Sequence, residues 1–209
     1  MGKWKKLLIG LVTGFANGLF GSGGGTIVVP AMERFLGVEE HRAHATAIAI
    51  ILPLSLLSLG IYLWKTGLFA VWQTALWASA GGLAGGIVGA RLLSRVSGMG
   101  IGGGTILIPA LLFLTEITQQ QAQGINLIYF IPTALAALIT HQKKGSLDWK
   151  TAKPLAAMGL AGAAAGAFLA VSLESELLRK IFGGFLFLMG CSEIFKKEKD
   201  KGEKKHAEG

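Results

Sequence analysis

Residues 21–32 read GSGGGTIVVPAM, and residues 100–111 read GIGGGTILIPAL. Each string lies inside an apolar run. Each sets three consecutive glycines and a proline where a continuous helix is expected, although these are the poorest helix formers. Small residues let helices pack closely, but one glycine is enough for that. Three in a row point to a break in the helix. Irregular backbone is forbidden against lipid and tolerated where it lines a cavity inside a bundle. The two strings therefore suggest a membrane bundle with two interrupted helices.

The rest of the chain agrees. Of 209 residues, 52% are hydrophobic and 15% charged, against roughly 25% charged in soluble domains. Residues 7–32, 43–64, 66–90, 96–115, 117–142 and 154–173 contain no Asp, Glu, Lys or Arg. At 1.5 Å per residue, each can cross a hydrocarbon core about 30 Å thick. A seventh apolar segment, 177–195, carries Arg179, Lys180 and Glu193 near its ends, where long basic side chains can snorkel to the interface. A soluble helical domain would leave too much apolar surface uncovered. The expected fold is an all-α integral membrane protein, a polytopic helix bundle whose first partner is the lipid bilayer.

Several function classes drop out. The net charge of +8 does not indicate nucleic acid. The basic residues sit in short loops and in the tail KKEKDKGEKK at 196–205, expected to be a solvated, disordered end near anionic headgroups. A single Cys191 leaves no internal disulfide and no cysteine metal motif, and the four histidines lack ligand spacing. No cofactor or metal is expected. No acid–base pair lies within reach of the membrane, so no enzymatic activity is expected. The start, MGKWKKLLIGLVTGF, has the basic and apolar regions of a signal peptide but no A-x-A site, so it reads as a retained first helix.

The positive-inside rule sets an orientation. Lys3, Lys5 and Lys6, then Lys65, then Lys143, Lys144, Lys150 and Lys153, and finally the lysine tail mark the cytoplasmic side. Residues 33–42 (ERFLGVEEHR) then fall outside, and both termini fall inside, in the plasma membrane. Two termini on one side require an even number of crossings. Demoting the segment at about 100–115 to a re-entrant or short half-helix restores that parity.

The two glycine strings belong to a longer repeat. Residues 21–60 align with 100–139 at a shift of 79, pairing Gly23-Gly24-Gly25-Thr26 with Gly102-Gly103-Gly104-Thr105, Pro30 with Pro109 and Pro53 with Pro132. Gly85 and Gly89 pair with Gly162 and Gly166 after a small slip and read as packing residues. The repeats are taken as 1–96 and 97–196, followed by the basic tail 197–209. Val96 runs almost directly into the second motif, as if one and a half helices were missing. Restored, the plan is four plus four spans in parallel orientation.

The paired G-x-G-G-G-T-I-x-x-P motifs, with AHATAIAIILPLS and AQGINLIYFIPTA after them and LDW at 147–149, resemble the TauE/SafE family of membrane permeases. The resemblance covers about residues 5–196. It implies export or uptake of sulfite, an organosulfonate or a related sulfur-containing or organic anion.

The glycines make physical sense in such a protein. They permit positive φ and close backbone approach. The segments behind them can start half-helices whose free N–H groups carry the positive end of the helix dipole. Two such ends near the bilayer midplane would bind an anion without lysine. The candidate substrate-binding residues are Gly23, Gly24, Gly25 and Thr26, then Gly102, Gly103, Gly104 and Thr105, with Thr46 and Asn126 early in the following helices. For Thr46, Asn126 and Asn17, interhelical hydrogen bonding is the equal alternative. His44 and His141 fall near span ends, where interfacial placement competes with proton coupling. Two functions stay open: an anion permease working by alternating access, or an incomplete or accessory subunit that needs a partner subunit or a second copy in a homo-oligomer.

Overall fold

The computed structural model describes residues 3–21, 24–66 and 104–207. Among the described residues all regular structure is helical. The seven elements are α1 (Lys3–Phe20), α2 (Gly24–Leu36), α3 (Glu40–Lys65), α4 (Gly104–Leu114), α5 (Gln119–Lys143), α6 (Trp149–Ser172) and α7 (Ser175–Ala207). Three of them, α3, α5 and α6, are long and apolar enough to cross a membrane. Large apolar side chains on the outside fit that surrounding, with Phe113 90% and Leu114 83% exposed.

Short-range chemistry sets the helix ends. Thr118 and Gln121 form a reciprocal capping box at the start of α5, and Asp148 caps α6 by accepting from the Thr151 amide. At the other ends, Gly21, Gly37 and Gly145 take φ of 69°, 65° and 64°. These left-handed positions close α1, α2 and α5. After Gly37, the Val38 amide reaches back to the Met32 carbonyl at 3.2 Å.

A few contacts fix which way each helix runs. At one end, here called the base, Lys6 Nζ donates to Thr151 Oγ1 at 3.1 Å. The Asp148 amide donates to Thr46 Oγ1 at 3.0 Å. The His41 and His141 rings lie 6.0 Å apart. A shallow cleft there is lined by Leu36, Gly37, Val38, Glu39, Arg42, Asp148 and Thr151. At the opposite end, Gln120 Nε2 donates to the Leu173 carbonyl and the Gln119 amide to Ser175 Oγ, both at 2.8 Å. So α1, α3 and α6 rise from the base, while α2 and α5 descend to it.

Two expectations change as a result. Residues 7–32 are not one crossing. The chain turns at Gly21, and α1 and α2 form an antiparallel hairpin, roughly 27 Å up and 20 Å back at 1.5 Å per residue. Residues 37–42 therefore return to the end that holds Lys6 and 144–151, rather than lying opposite to them. The segments related by the shift of 79 are also not parallel. Shifted by 79, α2 and α3 fall at 103–115 and 119–144, beside the observed α4 at 104–114 and α5 at 119–143. Yet α3 rises and α5 descends, so the equivalent segments are inverted.

The lysine-rich stretch also differs from a disordered end. It continues α7 to Ala207, in keeping with the good helix propensity of Lys and Glu. The described part of α4 has 11 residues, about 16 Å, or half of a hydrocarbon core.

Packing follows residue size. On α1, Gly10, Gly14 and Gly18 lie against the backbone of Leu155, Gly159 and Ala163 on α6, and Gly162 and Gly166 lie against Leu11 and Phe15. A side chain at any of these glycines would run into the other backbone, so the two helices touch main chain to main chain. Gly85 and Gly89 lie outside the described residues. Two apolar cores result. The basal one joins Val28, Met32, Ile50, Leu54 and Leu155. The other joins Leu19, Phe20, Tyr62, Ile108, Ile125 and Leu178. On α3 the first ends at Leu54 and the second begins at Ile61, and Ser55 and Ser58 occupy the interval.

Candidate functional site

That polar interval surrounds the turn of the α1–α2 hairpin. The Gly21 amide donates to the Asn17 carbonyl at 2.8 Å, which closes the last turn of α1. Only a residue without Cβ adopts its φ of 69° cheaply. Space is short as well: a Cβ there would sit 3.0 Å from the Gln123 carbonyl oxygen and 3.1 Å from Gln123 Cβ. The first described residue of α2, Gly24, is buried beside Asn17. Gly25 approaches Ile51 Cδ1, at 3.5 Å from where its own Cβ would be. Ile51 and Ser55 lie near the middle of α3, so the turn is placed mid-bundle.

The side chains around this turn are polar, neutral and buried: Asn17, Ser55, Ser58, Tyr62, Gln123 and Asn126. Asn17 Nδ2 donates to Ser55 Oγ at 3.4 Å. Asn126 Nδ2 donates to the Gly21 carbonyl at 3.0 Å. Tyr62 Oη lies 2.7 Å from Gln123 Oε1 and 3.0 Å from the Gly18 carbonyl. Ser58 Oγ and Gln123 Nε2 are buried with no partner among the described residues.

Two opposed helix ends meet here, and their fields would largely cancel if both were bare. The end of α1 presents carbonyls and a negative partial charge. The start of α2 presents N–H groups and a positive one, about half an elementary charge. Asn126 puts a donor on the Gly21 carbonyl just past α1, which damps the negative end. The positive end of α2 is left dominant, among buried neutral side chains with no described Asp, Glu, Lys or Arg. Such a site favours an anion.

The sequence candidates distribute unevenly over this geometry. Gly24, Gly25, Thr26 and Asn126 belong to the turn or to the first turns beyond it. Among the described residues positive φ occurs at Gly21, while Gly24 and Gly25 are helical. Gly24 is constrained by contact, since a Cβ there would lie 3.0 Å from Asn17 Cβ and 3.2 Å from its Oδ1. Thr46 lies elsewhere: it is buried at the base, bonded to the Asp148 amide. Thr46 and Asn126 occupy like positions on inverted helices, so the same step inward brings them to different depths. Gly104 and Thr105 are the first described residues of α4. Gly23, Gly102 and Gly103 lie outside the described residues.

Ser55, Ser58, Tyr62 and Gln123 were not singled out from sequence. The run QQQAQG at 119–124 carried a signal, because four amides at the head of a charge-free span must find buried partners or a ligand.

The base holds the titratable groups. Glu33, Glu40 and His44 come within 4.8 Å of one another, mostly exposed, about three helical turns along α3 from Ser55. A cation could be held there, away from the turn. His141 pairs with the His41 ring and not with His44. For Asp148, partial burial opposes ionisation. Hydrogen bonds from the Thr151 hydroxyl and amide and from the Lys150 amide, together with the Lys6 charge, outweigh it, so its carboxyl titrates below the usual range.

A family model described as sulfite exporter TauE/SafE matches residues 1–99 and again 96–209. The two matches meet where the sequence runs from Val96 into the second glycine motif. The probable membrane transporter protein YunE of Bacillus subtilis (strain 168) is 29% identical over 122 residues, covering 55% of this chain and 42% of YunE. A probable membrane transporter protein of Xylella fastidiosa (strain 9a5c) is 32% identical over 97 residues, covering 45% of this chain and 37% of the relative. The matches thus span about two-fifths of these curated relatives. No solved structure matches.

Proposed function

This chain belongs to the sulfite exporter TauE/SafE family, a family of membrane transporters, and from that premise we propose that it carries a small anion, such as sulfite, an organosulfonate or a related sulfur-containing or organic anion. The observation that carries this reading is the α1–α2 turn. A helix starts there at mid-bundle, among buried neutral polar groups, with the opposing helix end damped by Asn126. The α1–α2 hairpin is re-entrant on this reading, and α4 supplies a second half-helix. The binding residues are Gly23, Gly24, Gly25 and Thr26 with Asn126, joined by Gly102, Gly103, Gly104 and Thr105. Thr46 leaves the set and serves the base.

The inverted directions of α3 and α5 support alternating access by two inverted repeats, 1–96 and 97–196, that rock about a fixed site. The termini lie on the cytoplasmic side of the plasma membrane. The test is uptake of radiolabelled sulfite by proteoliposomes containing this chain alone, with Gly24→Val as the variant that crowds Asn17. Saturable flux lost in Gly24→Val supports a permease. Because the matches span two-fifths of the relatives, the competing reading is an incomplete or accessory subunit. Sulfite binding without flux by the chain alone would favour it.

A further inference from the structure

We propose that Gln123 is a specificity-determining residue of this site: its amide N–H₂ receives an oxygen of a bound oxyanion, and Tyr62 is the positioning residue that aims it. The inference rests on the anion-site reading above and adds a side chain to it. Gln123 is 0% exposed and packs against the turn through its backbone and Cβ, which lie within van der Waals reach of Gly21. Its side-chain oxygen accepts from the Tyr62 hydroxyl at 2.7 Å, the shortest of the three contacts available to that single proton. With the oxygen engaged, the free end of the amide is the donor end. Gln123 Nε2 has no partner among the described residues.

A buried amide N–H₂ without an acceptor costs stability unless something brings one. The positive end of α2 lies across the same turn, so the acceptor favoured there carries negative charge. An oxyanion meets both demands at once, setting one oxygen toward the N–H groups of α2 and a second toward Gln123. A halide is a single atom and cannot set separate oxygens toward the two donors. The amide thus separates oxyanions from chloride, whereas the helix end alone attracts both. Tyr62 is fixed in turn, because its hydroxyl also reaches the Gly18 carbonyl at 3.0 Å and its ring is fully buried.

The test uses the full chain purified in detergent, with sulfite and chloride affinities measured by calorimetry and folding checked by thermal melting. Gln123→Met keeps the side-chain length and removes the donor. A hydrogen bond to a charged group sets the scale, so sulfite should bind about tenfold more weakly or worse. Chloride should change less than about twofold on the same ground. Tyr62→Phe releases the amide and should lower the sulfite-to-chloride affinity ratio as well. The inference is overturned if Gln123→Met binds sulfite as tightly as wild type, or if both anions weaken together. Should Gln123→Met fail to fold, an unchanged ratio in Tyr62→Phe overturns it. If the wild-type chain binds neither anion, the anion-site reading falls, and this inference falls with it.

Discussion

Replacing Gly21 by alanine separates the two constraints on the α1–α2 turn. Three glycines have positive φ, but their surroundings differ. At Gly37 and Gly145 an added Cβ meets nothing within 4 Å. Alanine there incurs backbone strain of about 1–2 kcal/mol. The loss of freedom in the unfolded chain returns about 0.4–1 kcal/mol, which leaves a net cost near 1 kcal/mol. At Gly21 the same Cβ also lies 3.0, 3.1 and 3.3 Å from the Gln123 carbonyl oxygen, Cβ and Cα. Two of these are backbone atoms, so α5 itself must shift by a few tenths of an ångström. Mild overpacking adds about 1–2 kcal/mol, giving roughly 2–3 kcal/mol in all from the two terms. For a chain of this size 1 kcal/mol moves the melting temperature by about 2–4 °C. Thermal melts in one detergent should therefore rank Gly21→Ala well below Gly37→Ala and Gly145→Ala. The Gly21 variant should also weaken sulfite binding, because the shift moves Gln123 and strains the Asn126 bond. Equal melting temperatures for the three variants would refute the packing of α5 on the turn.

Gly14→Ala should destabilise the protein by about 1–3 kcal/mol, since its Cβ falls on the Gly159 backbone. Gly60→Ala, with nothing within 4 Å in the same kind of helix, should gain up to about 1 kcal/mol, and the two melting shifts should have opposite signs. In a Cys191→Ser background, Val38→Cys and Ser146→Cys should be labelled by an impermeant maleimide from one side of the membrane. Labelling from opposite sides would break the hairpin. Asp148→Ala should cost about 1 kcal/mol through the lost cap. Because the folded-state pKa of Asp148 is depressed, its charged contribution is present above the unfolded value near 3.9 and is lost as pH falls through the folded one. The gap in melting temperature between wild type and Asp148→Ala should hold near neutrality and shrink below about pH 4.

Much of this was legible in the sequence, for identifiable reasons. Absence of charge over long stretches marks membrane helices whatever their arrangement. The doubled GGGT and the later prolines align two stretches of sequence at one shift, and the bounds of α3 and α5 lie close to that shift. Direction was not legible. Charge counting assumed that 7–32 crosses once, so 33–42 was set opposite to the lysines. The positive φ at Gly21 reverses the chain, and every later side assignment depends on that reversal. Depth along a helix was hidden too. Thr46 and Asn126 align almost position for position, yet inverted helices carry one to the base and the other to the turn. Burial misled in the other direction for Tyr62 and Gln123, which look like ordinary residues of apolar spans until the fold sets them against α1.

The inversion also bears on how such a site could work. In a parallel duplication, two half-helices of like direction would present their positive ends at different depths and toward the same side. On the proposed inverted plan, α2 descends from mid-bundle and α4 would be its counterpart from the other end. Two positive helix ends can then approach one anion from opposite sides, each within about a half-helix length of its own water phase. The α1–α6 contact, backbone against backbone through Gly10, Gly14 and Gly18, is too close to slide without loss of packing. The contacts between α3 and α5 add polar pairs to the apolar packing of Ile61 and Tyr62 on Ile125 and Leu127: an edge-on histidine pair at the base and a tyrosine–glutamine bond near the turn. Polar contacts of that sort can be exchanged for water at modest cost. On the proposed mechanism, α1, α2 and α6 therefore move as one body, and the boundary that opens runs between α3 and α5, past Gln123. Cross-linking His41→Cys to His141→Cys should then arrest sulfite flux while leaving sulfite binding intact. Flux that persists with this pair locked would show that the moving boundary lies elsewhere.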